Sequence, residues 1–191
     1  MKLSNALSAA FPKVIGLACI ATLAACAAPS GPATMTPFSQ AALPDVVKVP
    51  AGNVVKLESV GVGEITYECR TKAGMVDQFE WVFVGPDAAL NDRSGKRIGK
   101  YYGPPATWEA MDGSKITGAQ VAVSPASAGS IPLQLVKANP AMGAGAMQGV
   151  SYIQRVATRG GVAPAAVCSA SATGQKQIVK YQADYIFWRA V

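Results

Sequence analysis

A chain of 191 residues, half of them hydrophobic and 15% charged, has enough apolar material for one sizeable core, and its 17 basic against 11 acidic residues leave a net charge of +6 that is scattered rather than gathered into a block. It contains no histidine, which excludes Ser-His-Asp and Cys-His catalysis, histidine-ligated zinc, copper or iron, and phosphohistidine chemistry. With 19 glycines and 13 prolines the chain is punctuated too often for long helices, so short strands are expected, and any catalysis would rest on carboxylates, tyrosine or lysine.

The first residues read as an address. Lys2 and Lys13 precede an apolar run at 14–25 that ends in Leu23-Ala24-Ala25-Cys26: a positive n-region, a short h-region and small residues at a cleavage point. The run is short for a membrane span. Its last four residues resemble the lipobox of bacterial lipoproteins, in which the Cys becomes the lipidated first residue; the alternative is a plain secretory signal cut nearby, leaving Cys26 free. The resemblance implies a signal over 1–25, lipidation at Cys26 and a membrane partner reached through the anchor. Ala27, rather than an Asp, follows the Cys, which implies the outer membrane of a Gram-negative cell, facing the periplasm or the surface. Without Lys2 and Lys13 the remaining 15 basic and 11 acidic residues give +4. The densest basic group, Arg93, Lys96, Arg97 and Lys100, falls short of a polyanion site and reads as a solvated turn, so no nucleic-acid partner is expected. Residues 26–44 are small, uncharged and rich in Pro, Ala and Ser, as in a flexible tether. A single domain is expected over 45–191, its fold starting near Val46.

Beyond the tether the hydrophobic period is two. Ile65, Tyr67 and Cys69 share one face and Thr66, Glu68 and Arg70 the other, the pattern of a half-buried strand. Phe79-Glu80-Trp81-Val82-Phe83-Val84 repeats it with heavier side chains. Ile131, Leu133 and Leu135 alternate with Pro132, Gln134 and Val136, where the Pro marks an edge strand or the first residues of a strand. Residues 150–156 can form another strand whose faces are less distinct. The clearest is the last, with Val179, Tyr181, Ala183, Tyr185 and Phe187 against Lys180, Gln182 and Asp184. Turns of Gly-Pro, Asn-Asp, Asp-Gly and Gly-Gly type separate these runs. The expected class is all-β, a single antiparallel sandwich or barrel-like domain of short strands with long loops.

Cys19 leaves with the signal and Cys26 is spent on lipid, so Cys69 and Cys168 remain as a pair suited to a disulfide in an exported domain. A redox or metal-binding thiol pair is the weaker alternative, since there is no Cys-x-x-Cys and no histidine to complete a zinc site; neither metal nor cofactor is expected. The Gly-rich run at 140–149 lacks Gly-x-Gly-x-x-Gly spacing and reads as a mobile hairpin loop with Met142 and Met147 as soft contacts. Asp184 reads as a solvated or salt-bridged residue, and Trp188-Arg189 as sheet packing with the Arg stacked on the ring.

The stretch at 100–114 concentrates aromatics, rigid turn formers and carboxylates. Gly103-Pro104-Pro105 bends the chain, Thr107-Trp108-Glu109 suits a short strand, and Asp112-Gly113 turns into Lys115-Ile116-Thr117. The candidate ligand-binding residues are Tyr101, Tyr102, Trp108, Glu109 and Asp112. Glu109 and Asp112 beside Trp108 would suit a glycan-binding or glycan-cleaving site. In the plainer reading Trp108 fills the core and Asp112 caps its own turn.

An ordered series of short motifs runs from about Pro44 to the C-terminus: Ile65-Thr66-Tyr67-Glu68-Cys69, Gly85-Pro86-Asp87-Ala88-Ala89-Leu90, Gly103-Pro104 with Thr107-Trp108-Glu109 and Asp112-Gly113-Ser114, Tyr152-Ile153-Gln154-Arg155, Thr158, Gly160-Gly161, Ala163-Pro164, Cys168, and Tyr181-Gln182-Ala183-Asp184-Tyr185. In this series the chain resembles domain-of-unknown-function family 3455, found in exported bacterial and fungal proteins. The resemblance implies a single exported domain and favours pairing of Cys69 with Cys168. Members often carry a His ahead of the Gly-Pro, about where Tyr101 stands here. The expected function is a non-enzymatic envelope lipoprotein whose β domain binds a glycan, a small molecule or an envelope protein; the alternative is a carboxylate-based hydrolase acting on polysaccharide.

Overall fold

The computed structural model describes residues 37–191; the signal, Cys26 and the first part of the tether lie outside the described residues. The period-two runs become strands: β1 (Asn53–Thr71), β2 (Phe79–Asn91), β3 (Arg97–Tyr102), β4 (Thr107–Ala110), β5 (Lys115–Ser124), β6 (Leu133–Ala138), β7 (Val150–Gly160) and β8 (Lys176–Ala190). Each pairs antiparallel with the next, and β1 pairs with β8, closing an eight-stranded barrel in sequential order. Closure gives every strand a neighbour on both sides. Helical structure among the described residues amounts to two 3₁₀ turns, Asp45–Val47 and Ala170–Ala172. The all-β expectation holds, in its barrel form.

Eight strands enclose an interior that side chains can just fill, and here aromatics fill it. The inward residues of β8, Tyr181, Ala183, Tyr185 and Phe187, are the face read from the sequence, and all are buried. Tyr101 stacks on Trp108 with ring centroids 4.7 Å apart and meets Tyr185 at 5.0 Å. Such pairs add about 0.5–1.5 kcal/mol each beyond the area they bury. The rings need space on the neighbouring strands. A Cβ on Gly61 would run into the Tyr185 ring, and Gly161, at φ +81°, lies against Tyr181 and Ile65.

Two strands were not legible as runs. The basic group read as a solvated turn supplies β3 from Arg97 onward, and β5 follows the Asp112-Gly113 turn. The inward positions of β3 include Gly99. Those of β5 include Gly118 and Gln120, which line the same cavity as Trp108. Small or polar residues on an interior face erase the hydrophobic alternation a strand would otherwise show. Pro132 immediately precedes β6, so it marks a strand's start and not an edge.

The two barrel ends differ. At one, the Gly-rich loop expected to be mobile folds across the opening. Its Met147 is buried, and the backbone N–H groups of Ala146 and Met147 donate to Asp112 Oδ2 (2.7 Å) and Ser114 Oγ (3.1 Å). Met142 exchanges backbone hydrogen bonds with Lys115 and stays partly exposed. At the other end, which we call the mouth, the 161–175 connection between β7 and β8 is fastened at several points. Cys168 is disulfide-bonded to Cys69, Trp81 Nε1 donates to the Ala166 carbonyl at 2.7 Å, and Tyr67 donates to the Gly161 carbonyl at 2.8 Å.

The domain's packing also reaches further toward the N-terminus than Val46. Residues 37–49 lie along the outside of the barrel as a strap, with Val47 and Val49 buried against Leu135, Val156, Ile186 and Trp188. Phe38 meets the Trp188 ring edge-on at 6.2 Å. Beneath the strap the buried Gln154 amide donates to the Val47 carbonyl at 2.6 Å and accepts from Trp188 Nε1 at 2.9 Å. Trp188 is therefore sheet packing, although its partner is Phe38, and Arg189 turns to the Ala190 carbonyl. Asp184 is salt-bridged: Arg93 joins it at 2.6 Å and reaches Glu58 at 3.0 Å.

Candidate functional site at the barrel mouth

Strand alternation divides the five predicted site residues. Tyr101 and Trp108 point inward and are 6% and 1% exposed, whereas their neighbours Tyr102 and Glu109 lie on the outer wall. There the Tyr102 hydroxyl donates to Glu109 Oε2 at 2.7 Å, and Lys100 Nζ lies 3.3 Å from Oε1. Asp112 sits at the plugged end, where Oδ1 accepts the Ser114 N–H at 2.9 Å as well as its hydroxyl, while Oδ2 holds the Gly-rich loop. Glu109 and Asp112 are thus committed to separate partners, and only Glu109 borders the shallow groove beside β3 and β4. Asp112 caps its own turn and pins a second loop to it.

These carboxylates fix how stability depends on pH. Hydrogen bonding from Tyr102, then from Lys100, holds the Glu109 carboxyl below the usual carboxylate range; the Ser114 hydroxyl, then the Ala146 N–H, does the same for Asp112. Asp45 is lowered by Lys48, Glu68 by Arg70 and Asp92 by Ser94. A carboxyl with a depressed pKa stabilises the fold at pH values above its unfolded pKa, about 4, and loses that contribution as pH falls through the folded value. Burial, conversely, raises the phenols of Tyr101, Tyr181 and Tyr185. Their contribution is intact below about pH 10 and is lost as pH rises above it. With no histidine to titrate between, the melting temperature is expected to stay level from about pH 5 to 9 and to drop below about 4 and above about 10. A scan of thermal unfolding against pH that shows a step near pH 6.5 would contradict this.

The mouth holds the feature with the shape of a binding site. A half-enclosed cavity of about 230 Å³ opens beside the Gly103–Pro104 bend, where the Gly103–Pro104 and Pro104–Pro105 peptides are both cis. Phe83, Pro86, Pro104, Ala106, Trp108 and Val136 give it apolar walls. Its polar groups are Tyr101, Gln120, Gln134 and Arg155. Gln134 Nε2 donates to Gln120 Oε1 at 2.6 Å. Arg155, opposite Gln134 across the β6–β7 ladder, donates through Nε and Nη2 to the Pro132 carbonyl at 3.2 and 3.0 Å. Among the described residues no carboxylate lies within ion-pair distance of Arg155, and the Trp108 indole N–H, buried, has no acceptor.

Arg155 also acts on the phenols inside the barrel. Burial pushes Tyr67, Tyr101, Tyr181 and Tyr185 up, and the positive charge of Arg155 draws each partly back. The phenols remain protonated at neutral pH; of them Tyr101 borders the cavity as a neutral hydroxyl, while Tyr181 and Tyr185 share a hydrogen bond at 3.2 Å. Of this pocket, sequence reasoning had found Tyr101 and Trp108 and missed Arg155, Gln134 and Gln120. The available signal was parity: Arg155 stands two residues from Ile153, on the inward face of β7.

A family model described as "Protein of unknown function (DUF3455)" matches residues 50–189, in agreement with the resemblance carried by the motif series. No curated protein and no solved structure matches the chain.

Proposed function

The chain belongs to the DUF3455 family of proteins of unknown function, and from that premise we propose that it is a non-enzymatic, exported and lipid-anchored barrel that binds a small molecule at its mouth. The carrying observation is the half-enclosed, apolar-walled cavity of about 230 Å³ with a few convergent polar groups, the composition expected of a small-ligand site. It is below the roughly 300–1,000 Å³ of drug-sized pockets, so the ligand is small. Export and anchoring draw support from the lipobox-like Leu23-Ala24-Ala25-Cys26 and from the Cys69–Cys168 disulfide, which suits an oxidising compartment. The absence of histidine from the chain and the separate commitments of Glu109 and Asp112 favour binding over hydrolysis.

The test is a thermal-shift screen of the intact protein against small acids, amides, alcohols and saccharides. A ligand at a hundred times its dissociation constant adds about 2.7 kcal/mol, or roughly 5–10 °C for a domain of this size. Ala106→Trp, which fills the cavity from the turn between β3 and β4, is expected to abolish the shift while leaving the unliganded melting temperature nearly unchanged. A saccharide whose shift survives Ala106→Trp would move the site to the outer wall around Tyr102 and Glu109 and overturn the mouth as the binding site.

A further inference from the structure

We propose that the ligand of the mouth pocket carries a carboxylate, held by the guanidinium of Arg155 and the indole N–H of Trp108, on a short apolar body that lies against Phe83, Pro86, Pro104 and Val136. The inference rests on the mouth being a ligand site and adds the chemistry that the site selects.

The polar groups of the cavity are three neutral side chains, one cation and no anion. A guanidinium offers five N–H groups in a planar fork, and only those of Nε and Nη2 are accounted for, both by one neutral carbonyl. Arg70 and Arg93, by comparison, each have a carboxylate at about 3 Å on the outer surface. A cation drawn partly out of water without a counterion is unfavourable, and an incoming anion relieves that cost. The second sign is independent of charge: the Trp108 indole N–H is buried without an acceptor, and Trp108 lines the same cavity. A buried unmade hydrogen bond of this kind is unfavourable, and a ligand oxygen would relieve it.

The neighbouring groups do not compete for the role. The Tyr67 hydroxyl donates to the Gly161 carbonyl, Tyr181 and Tyr185 share one hydrogen bond and do not line the cavity, and Tyr101, which does, is a neutral hydroxyl without the charge of a counterion. Gln120 and Gln134 hold one another across the β5–β6 pair and border the anion position as neutral amides. A planar guanidinium matches a planar carboxylate in two parallel hydrogen bonds, and the apolar walls leave the rest of the small cavity to a hydrocarbon body.

The experiment is calorimetric titration of the intact protein with three acid and amide pairs: benzoate and benzamide, 4-phenylbutyrate and 4-phenylbutyramide, octanoate and octanamide. At least one acid is expected to bind tenfold or more tightly than its amide. Arg155→Met should remove that preference by weakening the acid far more than the amide, and Arg155→Lys, which keeps the charge without the fork, should restore part of it. Equal binding of acid and amide, or an acid preference that survives in Arg155→Met, would overturn the carboxylate assignment and leave the mouth standing as a site for neutral ligands. Silence of every pair, together with a screen in which no shift depends on Ala106, would overturn the site and the assignment together. Should Arg155→Met fail to fold, the acid-to-amide ratio of the unmodified protein and the Arg155→Lys titration still decide the matter.

Discussion

Trp108→Ala is expected to lower the stability of the domain by about 3–5 kcal/mol, the cost of emptying a large aromatic from a packed core. For a chain of this length that is a fall in melting temperature on the order of 10 °C. Trp108 heads the fully buried side chains, and its removal takes with it both the stack on Tyr101 and the edge contact with Tyr185 at 5.9 Å. Trp108→Phe keeps a six-membered aromatic ring and loses the smaller ring with an N–H that has no acceptor, so it should cost clearly less. Thermal unfolding followed by near-ultraviolet dichroism would separate the two variants. Equal melting of Trp108→Ala and the parent protein would mean that the ring does not hold the core together. The exposed alternative is instructive: Glu109→Ala, one residue away, removes only outer-wall contacts with Tyr102 and Lys100, which exposed ion pairs make worth little.

Loss of the Cys69–Cys168 bond is expected to be comparable. The cysteines are 99 residues apart in sequence, and closing a loop of about that length contributes about 4–5 kcal/mol in the chain-entropy model. The bond joins β1 to the 161–175 connection at the mouth, so its removal affects more than the unfolded chain. That connection would still be held by Trp81 on Ala166, by the Tyr67 hydroxyl and by the exchange between Cys69 and Gly174–Gln175 backbone groups. The barrel is therefore expected to remain folded at room temperature in a Cys69→Ser, Cys168→Ser protein, melting on the order of 10 °C lower. The readouts are thermal unfolding of this variant and of the parent with and without a reductant. A parent protein whose melting does not respond to reduction, or a variant that melts with the parent, would contradict the expected contribution.

Much of this architecture was legible before any coordinates. The alternation in β1, β2 and β8 reports which residues face inward, and punctuation by Gly and Pro reports where strands reverse. The strands that escaped notice were those whose inward face is not hydrophobic: Gly99 in β3 makes room, and Gly118 and Gln120 in β5 line a cavity. The tether's last residues escaped for the opposite reason. Phe38 and Leu43 of the tether, like Val47 and Val49 just inside the expected domain, have no period of their own, because a strap across the outside of a barrel is shaped by the grooves it fills. Gln40, uninformative in sequence, clamps both backbone groups of Val49 and meets Gln154 beneath the strap.

For the site the division is sharper. Composition alone removes histidine chemistry, and residue types in the 100–114 stretch single out Tyr101 and Trp108. Their adjacency in sequence to Tyr102 and Glu109 suggested one cluster, yet a strand sends neighbours to opposite faces, so the barrel wall stands between them. Arg155 lies far along the chain from that stretch and enters the same pocket only because β7 and β3 are curved into one closed sheet. Periodicity is local and determined the strands, their inward faces and the class of the fold. The meeting of a lone cation, an unsatisfied indole and an apolar wall is long-range, and it was decided by barrel closure, which sets distant inward residues across a shared interior.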